Sequence, residues 1–152
     1  NQLNGLGYGI SHGYGESVSS LIECNLFDFN RHSIAGTGAP GNRYEARNNV
    51  ELGESLSHNF DMHGGRDRAD GTDIAGDLIR IHHNTFLGTA VRAVVIRGVP
   101  REEARVDHNW FAHDRAGEKV IGPWPLTPES RVFMENNAYG LKNPVVLDRK
   151  AE

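Results

Sequence analysis

The chain has 152 residues, of which 38% are hydrophobic and 24% charged, and its formal net charge is -4. It contains no apolar run long enough to span a membrane as a helix, and it is too apolar for a disordered chain. Its basic residues are fewer than its acidic ones and are scattered, which argues against a nucleic-acid partner. The single cysteine, Cys24, excludes an internal disulfide.

An asparagine recurs along the chain within the pattern apolar-x-x-Asn-x-aromatic, with Glu51 as the one exception to the aromatic. The asparagines are separated by 24, 35, 25 and 28 residues, and the segments between them, such as 91–96, are too short and too β-branched for helices. A repeat of twenty-odd residues made of such segments predicts a coil of short strands. The five repeats are Ile22–Phe27, Ala46–Glu51, Ile81–Phe86, Val106–Phe111 and Met134–Tyr139.

A second set of glycines follows a similar spacing and predicts a second column of aligned residues. Each of these glycines ends a short apolar or polar stretch, and we expect the residues before them to stack on neighbouring rungs. The glycines are Gly13, Gly36, Gly64, Gly98 and Gly122.

These repeats resemble those of the right-handed parallel β-helix, the superfold of the pectate lyases. Stacked rungs share one core, and asparagine amides in register hydrogen-bond along the stack. Asparagine also tolerates the left-handed backbone that such a turn requires. We predict an all-β chain of about six rungs, in one domain over residues 1–152 that is a piece of a longer protein. Its open ends predict self-association or missing capping segments.

Two loops interrupt the repeat. The polar, glycine-rich insertion 64–77 is interpreted as a surface loop, with a wall beside a substrate groove or a calcium site at Asp67, Asp70 and Asp73 as alternatives. The loop 117–130 carries Trp124, which either presents an aromatic platform or covers the core.

Eight histidines are present, and their positions predict different roles. His83 and His108 each precede a repeat asparagine, as Cys24 does, so we interpret all three as turn residues. A zinc site at His82 and His83 is disfavoured because it lacks a spaced third ligand.

The segment His58–Gly64 is the richest in chemistry. If Phe60 and Met62 point into the core, alternation turns Asn59, Asp61 and His63 outward. The glycine column places Arg97 beside His63 on the next rung. This set provides a proton-transfer group, an orienting carboxylate and a cation, and the alternative is a surface salt-bridge ladder.

The stretches Phe60–His63, Leu78–Thr89 and Val94–Arg97 resemble the catalytic region of the β-helix mannuronan C5-epimerases. Asp61 and His63 match the first Asp and the His of that family's Asp-Pro-His-Asp motif, and Arg97 matches its Arg. Met62 replaces the Pro, Gly64 replaces the second Asp, and His58 stands where the family has a Tyr.

The resemblance implies chemistry on an acidic polysaccharide, by removal of the C5 proton of a uronate. Arg97 would neutralise the developing charge, His63 held by Asp61 would transfer the proton, and His58 would be a second proton-transfer group. Return of the proton gives epimerisation, and departure of the 4-linked oxygen gives a lyase. No cofactor is required, although related lyases use calcium in place of the arginine. The expected substrate-binding residues are Asn59, Arg92, His82 and Trp124.

Two classes of function stay open at this stage. The first is this lyase or epimerase, and the second is a non-catalytic β-helix that binds glycans or builds an assembly. Either function predicts an extracellular or cell-surface location, because polysaccharides are mostly met outside the cell.

Overall fold

The computed structural model describes residues 7–13, 17–53 and 55–141 and is a parallel β-helix of about five turns. Its strands form three parallel sheets with five strands each, and successive strands of one sheet come from successive turns. Sheet 1 contains β1 (Tyr8–His12), β4 (His32–Gly36), β7 (Phe60–Met62), β10 (Val94–Ile96) and β13 (Ile121–Gly122). Sheet 2 contains β2 (Ser19–Glu23), β5 (Arg43–Arg47), β8 (Leu78–His82), β11 (Glu103–Asp107) and β14 (Val132–Glu135). Sheet 3 contains β3 (Leu26–Phe27), β6 (Val50–Glu51), β9 (Thr85–Phe86), β12 (Trp110–Phe111) and β15 (Ala138–Tyr139).

The predicted asparagine ladder is confirmed. Each ladder amide donates from Nδ2 to Oδ1 of the next asparagine, at 3.0, 2.9, 3.0 and 3.1 Å along the stack. The same Oδ1 also accepts the backbone N–H of the preceding asparagine, so each rung is tied to the next twice at this corner. The ladder consists of Asn25, Asn49, Asn84, Asn109 and Asn137.

The left-handed backbone lies one residue earlier than predicted. The residues before the ladder asparagines, and not the asparagines themselves, have φ between 53 and 57°. The rings of His83 and His108 stack in parallel there, 5.2 Å apart, which confirms these two histidines as turn residues. The five residues with this conformation are Cys24, Asn48, His83, His108 and Asn136.

The structure differs from the prediction in the alignment of the glycines and in the number of rungs. Each turn contributes one ladder asparagine, so five asparagines give about five turns rather than six. Gly36 pairs with Met62, and Gly122 pairs with Val95, so these glycines do not align. Gly64 and Gly98 do lie side by side, because a Cβ on Gly64 would lie 3.3 Å from the Gly98 Cα. The turns between the strands differ in length, and a spacing in sequence therefore does not fix a register across them.

Sheet 3 places a column of aromatic side chains in the core, and Glu51 interrupts it. The Phe86 and Phe111 rings stack 4.9 Å apart, and Tyr139 follows Phe111 at 5.6 Å. Glu51 pairs with Phe86 in the same column, is 1% exposed, and accepts a hydrogen bond from the Ser33 hydroxyl. Burial raises the pKa of the Glu51 carboxyl to about 7.

The insertion 64–77 packs back onto the coil instead of leaving it as a free loop. It contains the one-turn helix α1 (Gly65–Arg68), and Ile74 bridges to Val99. The Arg68 guanidinium donates to the carbonyls of Thr37 and Ile74, both at 2.9 Å. The bond to Thr37 anchors the insertion to the coil, and the bond to Ile74 joins two parts of the insertion itself.

The two end rungs keep their inward-facing apolar side chains covered. Ile22 and Phe27 on the first turn, and Val132 and Tyr139 on the last, are all at most 6% exposed. Among the described strands, those of the first and last turns are hydrogen-bonded on one side only. Within the described ranges, no helix is long and apolar enough to cross a membrane.

Candidate functional site

The centre of the candidate site is the carboxylate of Asp61. Asp61 lies on β7 between Ala35 of β4 and Val95 of β10, on the outer side of sheet 1, opposite the core residues Phe60 and Met62. Although its side chain points away from the core, it is completely buried. Polar side chains from the ends of neighbouring strands cover it.

Three side chains donate hydrogen bonds to Asp61. His63 Nε2 lies 2.8 Å from Oδ2 and His58 Nε2 lies 3.2 Å from it. Arg97 binds both carboxylate oxygens, from Nη2 at 2.7 Å and from Nε at 3.2 Å. The side chains of His58, His63 and Arg97 are 15%, 26% and 29% exposed, so the cluster is open to solvent on its outer side.

The strand register brings this cluster together. The His63 N–H donates to the Gly36 carbonyl at 2.8 Å, and the Arg97 N–H donates to the Met62 carbonyl at 2.9 Å. Arg97 is therefore the neighbour of His63 on the next turn, as the sequence predicts. The glycines that follow these two residues are the one pair of the predicted column that aligns.

Asp61 is ionised in this environment. Burial alone would raise the pKa of its carboxyl, but the hydrogen bonds from His58, His63 and Arg97 outweigh burial and hold that pKa well below its usual range. An ionised Asp61 can orient His63 by accepting its Nε2 proton, which leaves Nδ1 as the nitrogen that can exchange a proton with a bound molecule.

The structure adds two residues to the cluster, His32, which the sequence pattern does not indicate, and Asp67, which the sequence suggests only as a calcium ligand. His32 is buried, stacks on the His58 ring at a centroid distance of 4.0 Å, and binds the His58 carbonyl through Nδ1 at 2.9 Å. Burial lowers the pKa of His32. Asp67 contacts Arg97 at 3.1 Å from Nη1 to Oδ1. Nothing in the sequence distinguishes His32 from any other strand histidine. The position of Asp67 depends on how the insertion folds, which the sequence pattern does not give.

Asn59, which alternation also predicts to point outward, is completely buried, as Asp61 is. It precedes β7 at a bend, and its carbonyl accepts N–H groups from both Ser33 and Ile34, at 2.9 and 3.1 Å. Two residues of β4 thus oppose one residue here, as in a β-bulge.

The other three residues predicted to bind substrate lie away from Asp61. Arg92 precedes β10, and its carbonyl accepts the Asn59 N–H at 3.0 Å, but its guanidinium donates to the Glu118 carbonyl at 2.7 Å beside Gly122 of β13, two strands from Asp61. His82 ends β8 on sheet 2 and contacts Glu45 at 3.1 Å. Trp124 is 46% exposed. It lines a groove of about 1030 Å³ together with Thr89, His113, Arg115 and Lys119, and none of the Asp61 cluster belongs to that groove.

The three aspartates considered for calcium do not converge. Asp67 contacts Arg97, Asp70 accepts from Arg68 and Thr72, and Asp73 lies 3.8 Å from Arg66. Calcium requires six or more oxygen ligands around one point, so these side chains do not fit it as they stand.

Within the described residues, one group of three metal-ligating side chains has its ligand atoms within 4.8 Å of one another, namely His32, His58 and Asp61. Arg97 Nη2 is hydrogen-bonded to the same Asp61 oxygen at 2.7 Å. A guanidinium already provides the positive charge that a metal ion would bring, and the two imidazole rings are stacked rather than turned towards a common point. This arrangement does not fit a metal ion either.

Comparisons with known proteins add no family to this description. No family model matches the chain, and no significant match was found among curated proteins or solved structures.

Proposed function

We propose that this β-helix acts on an acidic polysaccharide by removing the C5 proton of a uronate residue, with β-elimination as the outcome. The observation that carries the proposal is the Asp61 cluster, in which a buried carboxylate binds His63 and Arg97 at 2.8 and 2.7 Å on the outer face of one sheet. A parallel β-helix presents such a face as a long, regular surface on which an extended polymer can lie.

His63 is the proton-transfer group in this proposal. With Nε2 engaged by Asp61, its Nδ1 accepts the C5 proton, as histidine does in general acid–base catalysis. Asp61 stabilises the imidazolium that forms, as a buried carboxylate does for a catalytic histidine.

Arg97 supplies the positive charge. Loss of the C5 proton places negative charge on the uronate carboxylate, and a guanidinium that contacts this group stabilises the enolate more than the ground state. The electron pair of the C5–H bond then forms the C4–C5 double bond while the C4–O4 bond breaks. The departing O4 takes the proton back from His63, so the step is balanced without a cofactor.

His58 is a positioning residue in this arrangement. Its Nδ1 lies 3.2 Å from the Ser57 hydroxyl and its Nε2 lies 3.2 Å from Asp61, so both ring nitrogens are engaged. Epimerisation requires a second proton donor on the opposite face of the sugar. The engagement of His58 therefore favours elimination, with epimerisation as the alternative outcome.

The test is ultraviolet absorbance of the unsaturated uronate product, measured on alginate, pectate and glycosaminoglycans with the wild type, His63→Ala and His108→Ala. His108 is a half-exposed histidine on a turn, paired with Asp107, and serves as the matched control. We expect a rise on one polymer that is lost in His63→Ala and kept in His108→Ala. A rise that survives in His63→Ala would contradict the assignment of His63.

The second candidate is a non-catalytic glycan-binding or assembly β-helix. The observation that favours it is the saturation of Arg97 by two carboxylates, Asp61 and Asp67, which is also what a purely structural network would show. Binding of a polymer that is unchanged in His63→Ala, without any chemical change in the polymer, would favour this second function.

A further inference from the structure

Arg97 contacts two carboxylates of very different accessibility. Its Nη2 and Nε face Asp61, which is completely buried. Its Nη1 faces Asp67, whose side chain is 30% exposed. A guanidinium offers its N–H groups along separate edges, so the edge towards Asp67 can bind a different anion without loss of the contact to Asp61.

The insertion holds Asp67 against this edge. Asp67 belongs to α1, and its Oδ2 accepts the Gly64 N–H at 3.3 Å. The neighbouring Arg68 ties the insertion to the coil through the Thr37 carbonyl, and its bond to the Ile74 carbonyl holds the insertion together. Asp67 is thus presented by an anchored segment to the solvent side of Arg97, and not by a freely moving loop.

We infer that Asp67 occupies the position on Arg97 that the carboxylate of a bound uronate takes, so that substrate must displace Asp67 and the affinity is set by that competition. The inference rests on the proposed function, because it names the contact by which the same site selects a carboxylate-bearing sugar. Both groups are planar carboxylates that pair with one guanidinium edge, and two of them cannot occupy that edge together. Displacement of Asp67 leaves Arg97 with one counter-charge, Asp61, and with one edge bound to substrate.

The experiment uses calorimetry to measure the binding of a defined oligouronate, either oligogalacturonate or oligomannuronate. Three proteins are compared: the wild type, Asp67→Asn and Asp73→Asn. Asp73 lies in the same insertion with its side chain 53% exposed and 3.8 Å from Arg66, so Asp73→Asn makes the same change of net charge without removing a contact to Arg97. We expect Asp67→Asn to bind roughly tenfold more tightly than the wild type, since a competing anion next to the ligand is removed. Asp73→Asn should bind like the wild type.

A gain in affinity separates this inference from a structural role, because a purely structural Asp67 would weaken binding when replaced. Equal gains in both variants would show a general charge effect and overturn the inference, as would unchanged or weaker binding in Asp67→Asn with an unaltered circular dichroism spectrum. Tighter binding in Asp67→Asn, together with no chemical change of the polymer by the wild type, would uphold the inference and reject the proposed catalysis. No binding by any of the three proteins would reject both.

Discussion

Glu51 gives the sharpest prediction about stability, because it places a carboxyl within a column of buried aromatic rings. Its pKa rises from an ordinary 4.5 to about 7 through burial, although the Ser33 hydrogen bond partly opposes the change. A folded-state pKa above the unfolded value means that the folded protein binds the proton more tightly. The contribution of Glu51 to stability is therefore fully present below about pH 4.5 and is lost as the pH rises towards about 7.

The difference between 4.5 and about 7 corresponds to about 3 kcal/mol of unfolding free energy. Glu51→Gln keeps the shape of the side chain and cannot ionise, so its free energy of unfolding should lack this dependence. We expect urea titrations at about pH 5 and about pH 8 to show the wild type losing about 2.5 kcal/mol more than Glu51→Gln between the two conditions, because part of the loss has already occurred at about pH 5.

The buried histidines also affect stability with pH, since burial lowers the pKa of His12, His32 and His113. Their contribution is lost as the pH falls, which is opposite in sign to that of Glu51. They are present in both proteins and cancel in the comparison. Glu23→Gln, at a surface carboxylate that is 41% exposed, is the matched control and should follow the wild type. Parallel pH profiles for the wild type and Glu51→Gln would show that the burial of Glu51 does not set this pH dependence.

Three further predictions concern the ladder, the site and the insertion. Asn84→Ala should cost about 2–4 kcal/mol, because the amide is buried and bonded on both sides, whereas Asn25→Ala at the end of the ladder should cost less, as measured by urea unfolding. Because the Asp61 pKa is lowered, Asp61 stabilises the protein above the pH at which an ordinary carboxyl titrates, and this contribution is lost in acid. Asp61→Asn should therefore flatten the acid limb of the pH–stability curve. An unchanged acid limb would argue against the cluster geometry. Arg68→Ala should speed hydrogen exchange in residues 64–77, while Arg66→Ala, at a side chain that is 86% exposed, should leave it unchanged.

The ladder and its period could be predicted because they depend on local residue type. An asparagine with an apolar residue three positions before it and an aromatic two positions after it marks the same corner of each turn, and Glu51 is the exception to this pattern in the sequence as it is in the aromatic column. The pairing of Asp61, His63 and Arg97 followed from strand alternation and one correct register.

The other contacts of the candidate site could not be predicted, because they depend on details of the backbone that a repeat pattern does not contain. The Asn59 carbonyl is shared by two N–H groups of neighbouring residues, and His32 stacks on the His58 ring. The insertion folds back through Arg68, and this places Asp67 on Arg97. Neither event changes the spacing of the asparagines, and neither could be read from it.

Removal of the C5 proton by His63 can be tested by proton magnetic resonance of the polyuronates in deuterated water, recorded during incubation with the wild type and with His63→Ala. We expect an olefinic proton signal from one polymer with the wild type and no such signal with His63→Ala. Spectra that show no olefinic signal and no deuterium at C5 with every polymer would contradict proton removal by His63.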